Sequence, residues 1–408
     1  MPAPDARDSS PTRDLVRLGA HLRDHLLTHV LPFWARHAVD PDGGLNTCID
    51  DAGAVLSRDK WLWSQWRAVW VFSELYRGVE RRTQWLDLAW ATYRFTVRHG
   101  WDEHERGWRL LLDHTGKTLR GCESLYVDGF AIYGLTALAR ATGADEPLAW
   151  ARRTAEAAWE KLQRPHETLP LFPYPVPAGE RVHGVPMIFC LVLWELGELT
   201  GDRVWAERAL RLCDEITSVF LRPDRDLVLE RVAVDGTELP PPRGTAVVPG
   251  HVLEDLWFQL HIRHAAGHTD HTAELCRLVL RHVELGWDAE HGGVLLAVDA
   301  DGRADVDWAF ASAKLWWPQV EAMYALLLGQ HFTGDARFLA WSDRVHAYAF
   351  THFPVATGEW TQKLDRLGRP FTTTVALPVK DPFHLPRALL LCAQLLLTGR
   401  PGGTLVTP

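Results

Sequence analysis

The 408-residue sequence has no CxxC pair, no basic excess, no apolar run of bilayer length and no glycine-rich dinucleotide fingerprint. Each absence removes a class of protein. Six cysteines (Cys48, Cys122, Cys190, Cys213, Cys276 and Cys392) stand singly. They read as buried free thiols of a reducing compartment, not as a disulfide framework or a zinc site. Lys and Arg number 43 against 52 Asp and Glu, a net charge of -9, which offers no basic footprint for nucleic acid or an anionic membrane. Residues 1–12 are polar and proline-containing with no apolar signal core, so they predict a disordered tail on a cytoplasmic protein with no membrane partner. DHTGKT (113–118) would need a glycine where Leu111 stands to be a phosphate loop, and it reads as a hairpin turn. Without GxGxxG, chemistry through a nicotinamide lacks its binding site.

What is abundant is tryptophan, 20 residues. Indoles fill cores, and their faces also stack on the apolar face of a sugar ring, so the excess favours a small-molecule carbohydrate partner.

Two series divide the chain. Acidic and glycine-rich turns recur at DPDGG (40–44), WDEHERGW (101–108), RPDRDLVLE (222–230), WDAEHGGV (287–294) and ATGEW (356–360), and read as β-hairpins. The proline-rich LPLFPYPVPAGERVHG (169–184) takes the place of a hairpin in the third unit. Gly78, Gly143, Gly201, Gly267, Gly334 and Gly399 each end an apolar helix. Six units of hairpin, helix, glycine turn and helix follow. Helices such as MIFCLVLWEL (187–196) and RALLLCAQLLL (387–397) are apolar on most sides, which predicts an inner ring. The fold expected is all-α, an (α/α)6 barrel with short β-hairpins, as one domain over residues 13–400 with a tail over 401–408.

Equivalent units bring the residues that open the inner helices to one mouth: Gln65 and Arg67, Tyr126 and Asp128, Pro186 and Met187, His251 and Glu254, KLWWPQVE (314–321) and KDPFHLPR (380–387). Helix starts ordinarily favour Ser, Thr, Asp, Asn or Pro, so bulky functional groups gathered there predict a site. His251 and Glu254 are three apart on one helix face, which suggests a general base oriented by its own glutamate. With His384, two histidines suit proton removal from one face of a carbon and return from the other. Arg67 then steadies the enediolate. Tyr126, Asp128, Met187, Lys314, Trp317, Gln319, Glu321, Trp360 and Arg387 are the expected substrate contacts. Trp317 is expected to face the pocket in preference to Trp316. Asp128 and Glu321 serve either as acceptors for sugar hydroxyls or as acids paired with neighbouring arginines. No metal site is expected: His261, His264 and His268 share a helical spacing, but Gly267 ends the helix before a ligand set forms.

PGHVLEDLWF, KLWWPQVEAM, KDPFHLPRALL, KWLWSQWRAVWVF and the LVLERVAVDG hairpin resemble the N-acylglucosamine 2-epimerase family, over about Leu15 to Cys392. The resemblance implies an (α/α)6 barrel, no metal or redox cofactor, and C2 epimerisation or aldose–ketose isomerisation of an opened sugar. It assigns the acid/base histidines to His251 and His384, the supporting glutamate to Glu254 and the substrate arginine to Arg67. Homodimer formation and nucleotide activation are expectations of the family alone. FHLPR and WWPQVEAM look more like the N-acylglucosamine branch than the cellobiose or mannose branches. The chain departs from the family at Val379, where many members carry tryptophan, and at Leu191 or a neighbour, where cellobiose-type members carry a third histidine. The rivals are an isomerase sharing the enediolate, a glycoside hydrolase using Glu254 with Glu321 or Asp128, and a sugar-binding scaffold without activity.

Overall fold

Aspartate and glycine set where many of these helices start and stop. Asp14, Asp202 and Asp335 cap helix N-termini by accepting the backbone N–H of Arg17, Val204 and Arg337. Gly143, Gly201, Gly334 and Gly399 take left-handed φ of 67–70° and end four helices, a conformation costly for residues with a Cβ. The computed structural model describes residues 14–405; the tail expected over residues 1–12 lies outside them.

Helix α1 (Leu15–His25) continues through a π-helical stretch (Leu26–Val30) into α2 (Leu31–His37). Five pairs follow: α3 (Leu62–Gly78) with α4 (Thr83–Gly100), α5 (Leu125–Thr142) with α6 (Asp145–Leu162), α7 (Gly184–Thr200) with α8 (Arg203–Glu215), α9 (Pro249–Ala265) with α10 (Thr272–Gly286), and α11 (Trp316–Thr333) with α12 (Ala336–His352). The last helix is α13 (His384–Thr398). Helices α3, α5, α7, α9, α11 and α13 are apolar and buried on nearly every side, and each packs against the next. α13 meets α3, so the succession returns to its start. The other helices lie outside, each against its inner partner, with α1 on α13. This is the (α/α)6 arrangement, and among the described residues strands occur only in small sheets of two or three. Among the described residues, no helix is long and apolar enough to cross a membrane.

All five acidic turns fold back as antiparallel pairs: Val39 with Leu45, Trp101–Asp102 with Gly107–Trp108, Leu221–Arg222 with Leu227–Val228, Trp287 with Val294, and Pro354 with Trp360. DHTGKT is a hairpin turn as well, between Leu111–Leu112 and Thr118–Arg120. The proline-rich stretch forms no hairpin of its own. Its Glu180–Val182 pairs instead with Arg231–Ala233 of the following unit.

Two expectations are corrected. Gly78 is no left-handed stop but the last residue of α3. A Cβ there would come within 2.6 Å of the Gln394 side chain on α13, so close approach of helices is what requires glycine. The segment after residue 400 is also no free tail as far as it is described, because Leu405 packs on the core and donates its N–H to the Gly78 carbonyl at 2.8 Å.

Backbone meets backbone closely where α5 carries Gly134, whose Cβ would lie 2.5 Å from the Trp66 carbonyl oxygen on α3. Backbone cannot yield as a side chain can, so Gly134→Ala is expected to destabilise the fold by about 1–3 kcal/mol in denaturant unfolding.

Candidate active site

The N-termini of all six inner helices open on one cavity of about 470 Å³. α3 contributes Arg67, α5 Tyr126, α7 Met187, α9 His251 and Glu254, α11 Trp316 and Trp317, and α13 His384. Helix N-termini carry partial positive charge, which favours an anion formed among them.

His251 is held from a different quarter than its own helix suggests. Its Nδ1 lies 3.2 and 3.1 Å from the two carboxylate oxygens of Glu230, not against Glu254. Glu230 precedes the strand Arg231–Ala233, and its carbonyl accepts the backbone N–H of His183 at 3.0 Å, which fixes it beside the start of α7, within reach of His251 on α9. Burial disfavours the charged form of His251. The Glu230 charge and hydrogen bond, with the Glu254 charge, outweigh it and raise the imidazole above its usual value.

Glu254 turns instead to Arg387. The buried Arg387 guanidinium donates from Nη2 to Glu254 and, at 2.8 Å, to Glu321. Glu321 also accepts the Trp257 indole N–H at 2.8 Å, and it holds His384 Nδ1 at 2.8 Å. Each catalytic candidate therefore has a glutamate on Nδ1, which leaves Nε2 as the reactive nitrogen. Burial, then the nearby Arg67 cation, push His384 down to about 3. Its Nδ1–H engaged by Glu321, the neutral ring keeps a lone pair on Nε2.

Ligand atoms of Glu254, Glu321 and His384 lie within 4.8 Å of one another, a set that suits a divalent cation. Arg387 is bonded to both carboxylates and its Nη2 lies 3.4 Å from His384 Nδ1, so a guanidinium supplies the positive charge there.

Arg67 pairs with Asp381 (3.0 Å), and its guanidinium lies 4.0 Å from the Phe130 ring centroid and 4.8 Å from that of Phe383. The Trp317 indole is in ring contact with both histidines, at centroid distances of 5.2 Å to His251 and 5.6 Å to His384. It reaches them across Gly250, where a Cβ would come within 2.4 Å of the indole. Trp316 lines the cavity too, so the expectation that only one of the pair faces it is corrected.

Six expected substrate contacts do not line the cavity: Asp128, Lys314, Gln319, Glu321, Trp360 and Arg387. Asp128 accepts from the Trp108 backbone and from Lys161 (2.8 and 2.9 Å), tying a hairpin to α5. Lys314 is buried against Asp288 at 3.0 Å. The Gln319 amide bonds both backbone groups of Val294 (2.8 and 2.7 Å), and Gln65 does the same to Leu45 (2.7 and 3.0 Å). Trp360 is buried and donates to His25. Glu321 and Arg387 act behind the histidine, as described. Met187 and Tyr126 line the cavity as expected, as does Val379, while Leu191 does not. Glu230 and Trp308 are cavity residues that the spacing of the sequence did not single out, and Asp381, within the KDPFHLPR stretch placed at the mouth, was given no role there. His261 and His264 bond Tyr324 and Thr272, each its own partner.

The profile of the N-acylglucosamine 2-epimerase (GlcNAc 2-epimerase) family matches residues 43–388. The chain belongs to that family. It is 31% identical to the N-acylglucosamine 2-epimerase of Mus musculus, over 91% of this chain and 90% of that protein. The Homo sapiens N-acylglucosamine 2-epimerase is also 31% identical, over 98% and 95%. Among solved structures, the cellobiose 2-epimerase from Spirochaeta thermophila DSM 6192 superposes with a TM-score of 0.81 at 20% identity, covering 96% of this chain and 99% of that one. Family membership makes the chain an enzyme of the epimerase and isomerase class.

Two measurements check the geometry. Glu230→Gln removes the charge that raises His251, so the His251 ring is expected to titrate at lower pH in NMR spectra; an unmoved titration counts against the pairing. Arg387→Met leaves two buried carboxylates facing one another and is expected to cost about 3–5 kcal/mol in unfolding experiments.

Proposed function

We propose that this chain epimerises C2 of an N-acylated amino sugar or a related monosaccharide in its open form, with His251 and His384 as the two acid/base groups and no cofactor in the step. One observation carries the reading: two imidazoles open on one cavity, each held by a glutamate, with opposite shifts. Neutral His384 is poised as the base and His251 as the acid.

In the forward step, His384 Nε2 takes the C2 proton of the epimer whose hydrogen faces it. The electron pair moves through C1 to the carbonyl oxygen, giving an enolate, or an enediolate where C2 carries a hydroxyl, whose charge falls where Arg67 and the helix N-termini meet it. His251 then gives its proton to the opposite face of C2. The reverse reaction runs through the same atoms with the roles exchanged. Family membership supports a sugar substrate and the 2-epimerase reaction. A hydrolase using Glu254 and Glu321 is disfavoured because both carboxylates are bonded to one guanidinium, whereas a general-acid carboxyl needs its proton held.

The test is incubation in heavy water with N-acetylglucosamine, N-acetylmannosamine, glucose, mannose and cellobiose. Deuterium at C2 with formation of the epimer is the expected result, and exchange with none of the five sinks the reading. His251→Asn and His384→Asn are each expected to reduce turnover by roughly 10²- to 10⁴-fold, and wild-type rates in both would move the acid/base pair elsewhere.

A further inference from the structure

Asp381 takes no part in the proton transfer proposed above, yet it is a buried carboxylate on the wall of the reaction cavity, 3% exposed. It is placed firmly. The Gln362 side chain accepts its backbone N–H at 2.9 Å and donates to its carbonyl at 3.0 Å. One carboxylate oxygen, Oδ2, accepts from Arg67 at 3.0 Å and lies 3.9 Å from His384 Nε2. The other, Oδ1, has no hydrogen-bond partner among the described residues. Buried polar atoms are nearly always paired, so an under-used carboxylate beside a reaction centre calls for an occupant.

The chemistry of that occupant follows from position. Under the epimerase reading, on which this inference rests, His384 Nε2 meets the hydrogen on C2, and a group bonded to C2 comes within reach of a carboxylate 3.9 Å from that nitrogen. Arg67 is the donor for the oxygen on C1. An ionised carboxylate only accepts hydrogen bonds. An N–H or O–H on C2 satisfies it, whereas an ether, a tertiary amide or a fluorine leaves it desolvated and unpaired. We infer that Asp381 determines specificity by accepting a hydrogen bond from the substituent on C2, so that the substrates are sugars with a secondary acylamino group or a free hydroxyl there.

The experiment compares matched sugars with and without the donor, using the full chain and reading kcat/KM for C2 deuterium exchange. N-acetylglucosamine is paired with its N-methylacetamido analogue, and glucose with 2-deoxy-2-fluoroglucose. The wild type is expected to prefer the donor-bearing member of the pair it accepts by a factor on the order of 10² or more. Asp381→Ala is expected to bring that ratio to within about tenfold of one, chiefly through loss of the donor-bearing sugar. Asp381→Asn keeps an acceptor oxygen and is expected to restore part of the preference. Exchange of the donor-free sugar by the variants reports that they are folded. A wild-type ratio near one overturns the inference, and so does an equal loss on both sugars in Asp381→Ala, which assigns Asp381 to balancing the Arg67 charge alone. If Asp381→Ala does not fold, the wild-type ratio and Asp381→Asn decide. Absence of exchange with every sugar is a failure of the epimerase reading, and is distinct from exchange without discrimination.

Discussion

The site depends on one buried cation shared by two acids. Arg387 on α13 binds Glu254 on α9 and Glu321 on α11, so three inner helices meet on a single guanidinium. Such a cluster adds little net stability over a well-packed apolar one, because each charge is taken out of water to form it. Its value lies in direction. Glu321 is held by Arg387 and by Trp257, and a carboxylate so constrained holds the His384 ring in one tautomer and one orientation.

The two histidines are therefore unlike. His384 is held neutral by burial first and then by the Arg67 cation, in a nest where Arg387 offsets the carboxylates. His251 is paired with Glu230, and its charged form is favoured. The Trp317 indole is in ring contact with both. Under the proposed reaction, this resting arrangement presents one imidazole able to take a proton and one able to give it, and the reverse direction starts from the opposite protonation of the two rings.

Much of the architecture was legible in the sequence because it is local and repeated. Glycine at the ends of helices, acidic turns at the starts of hairpins and apolar inner helices recur at one spacing, and that spacing alone brings His251, His384 and Arg67 to one mouth. What escaped was set by contacts between units. Glu254 is three residues from His251, and helical spacing favours their pairing, but Arg387 from a distant segment captures the acid and Glu230 from the preceding hairpin replaces it. Lys314 and Gln319 lie near a helix start, as site residues do, and Trp360 is an aromatic residue of a hairpin, yet all three fasten the hairpins beneath the mouth. Function and fastening use the same residue types at the same positions, and only the identity of the partner tells them apart.

The glutamine amides that grip Leu45 and Val294 extend this point. A side-chain amide has the same donor and acceptor as a peptide group, so Gln65 and Gln319 act as one-residue strands grown sideways from a helix. Each rivets the hairpin arriving from an outer helix onto the next inner helix. The rim of the barrel is thus a hoop made of separate staves, closed by side chains where a continuous sheet would otherwise be needed. Residues 173–177 and 375–379 of the rim carry no such rivet and instead face the cavity, with Val176, Leu377 and Val379 packed on the core.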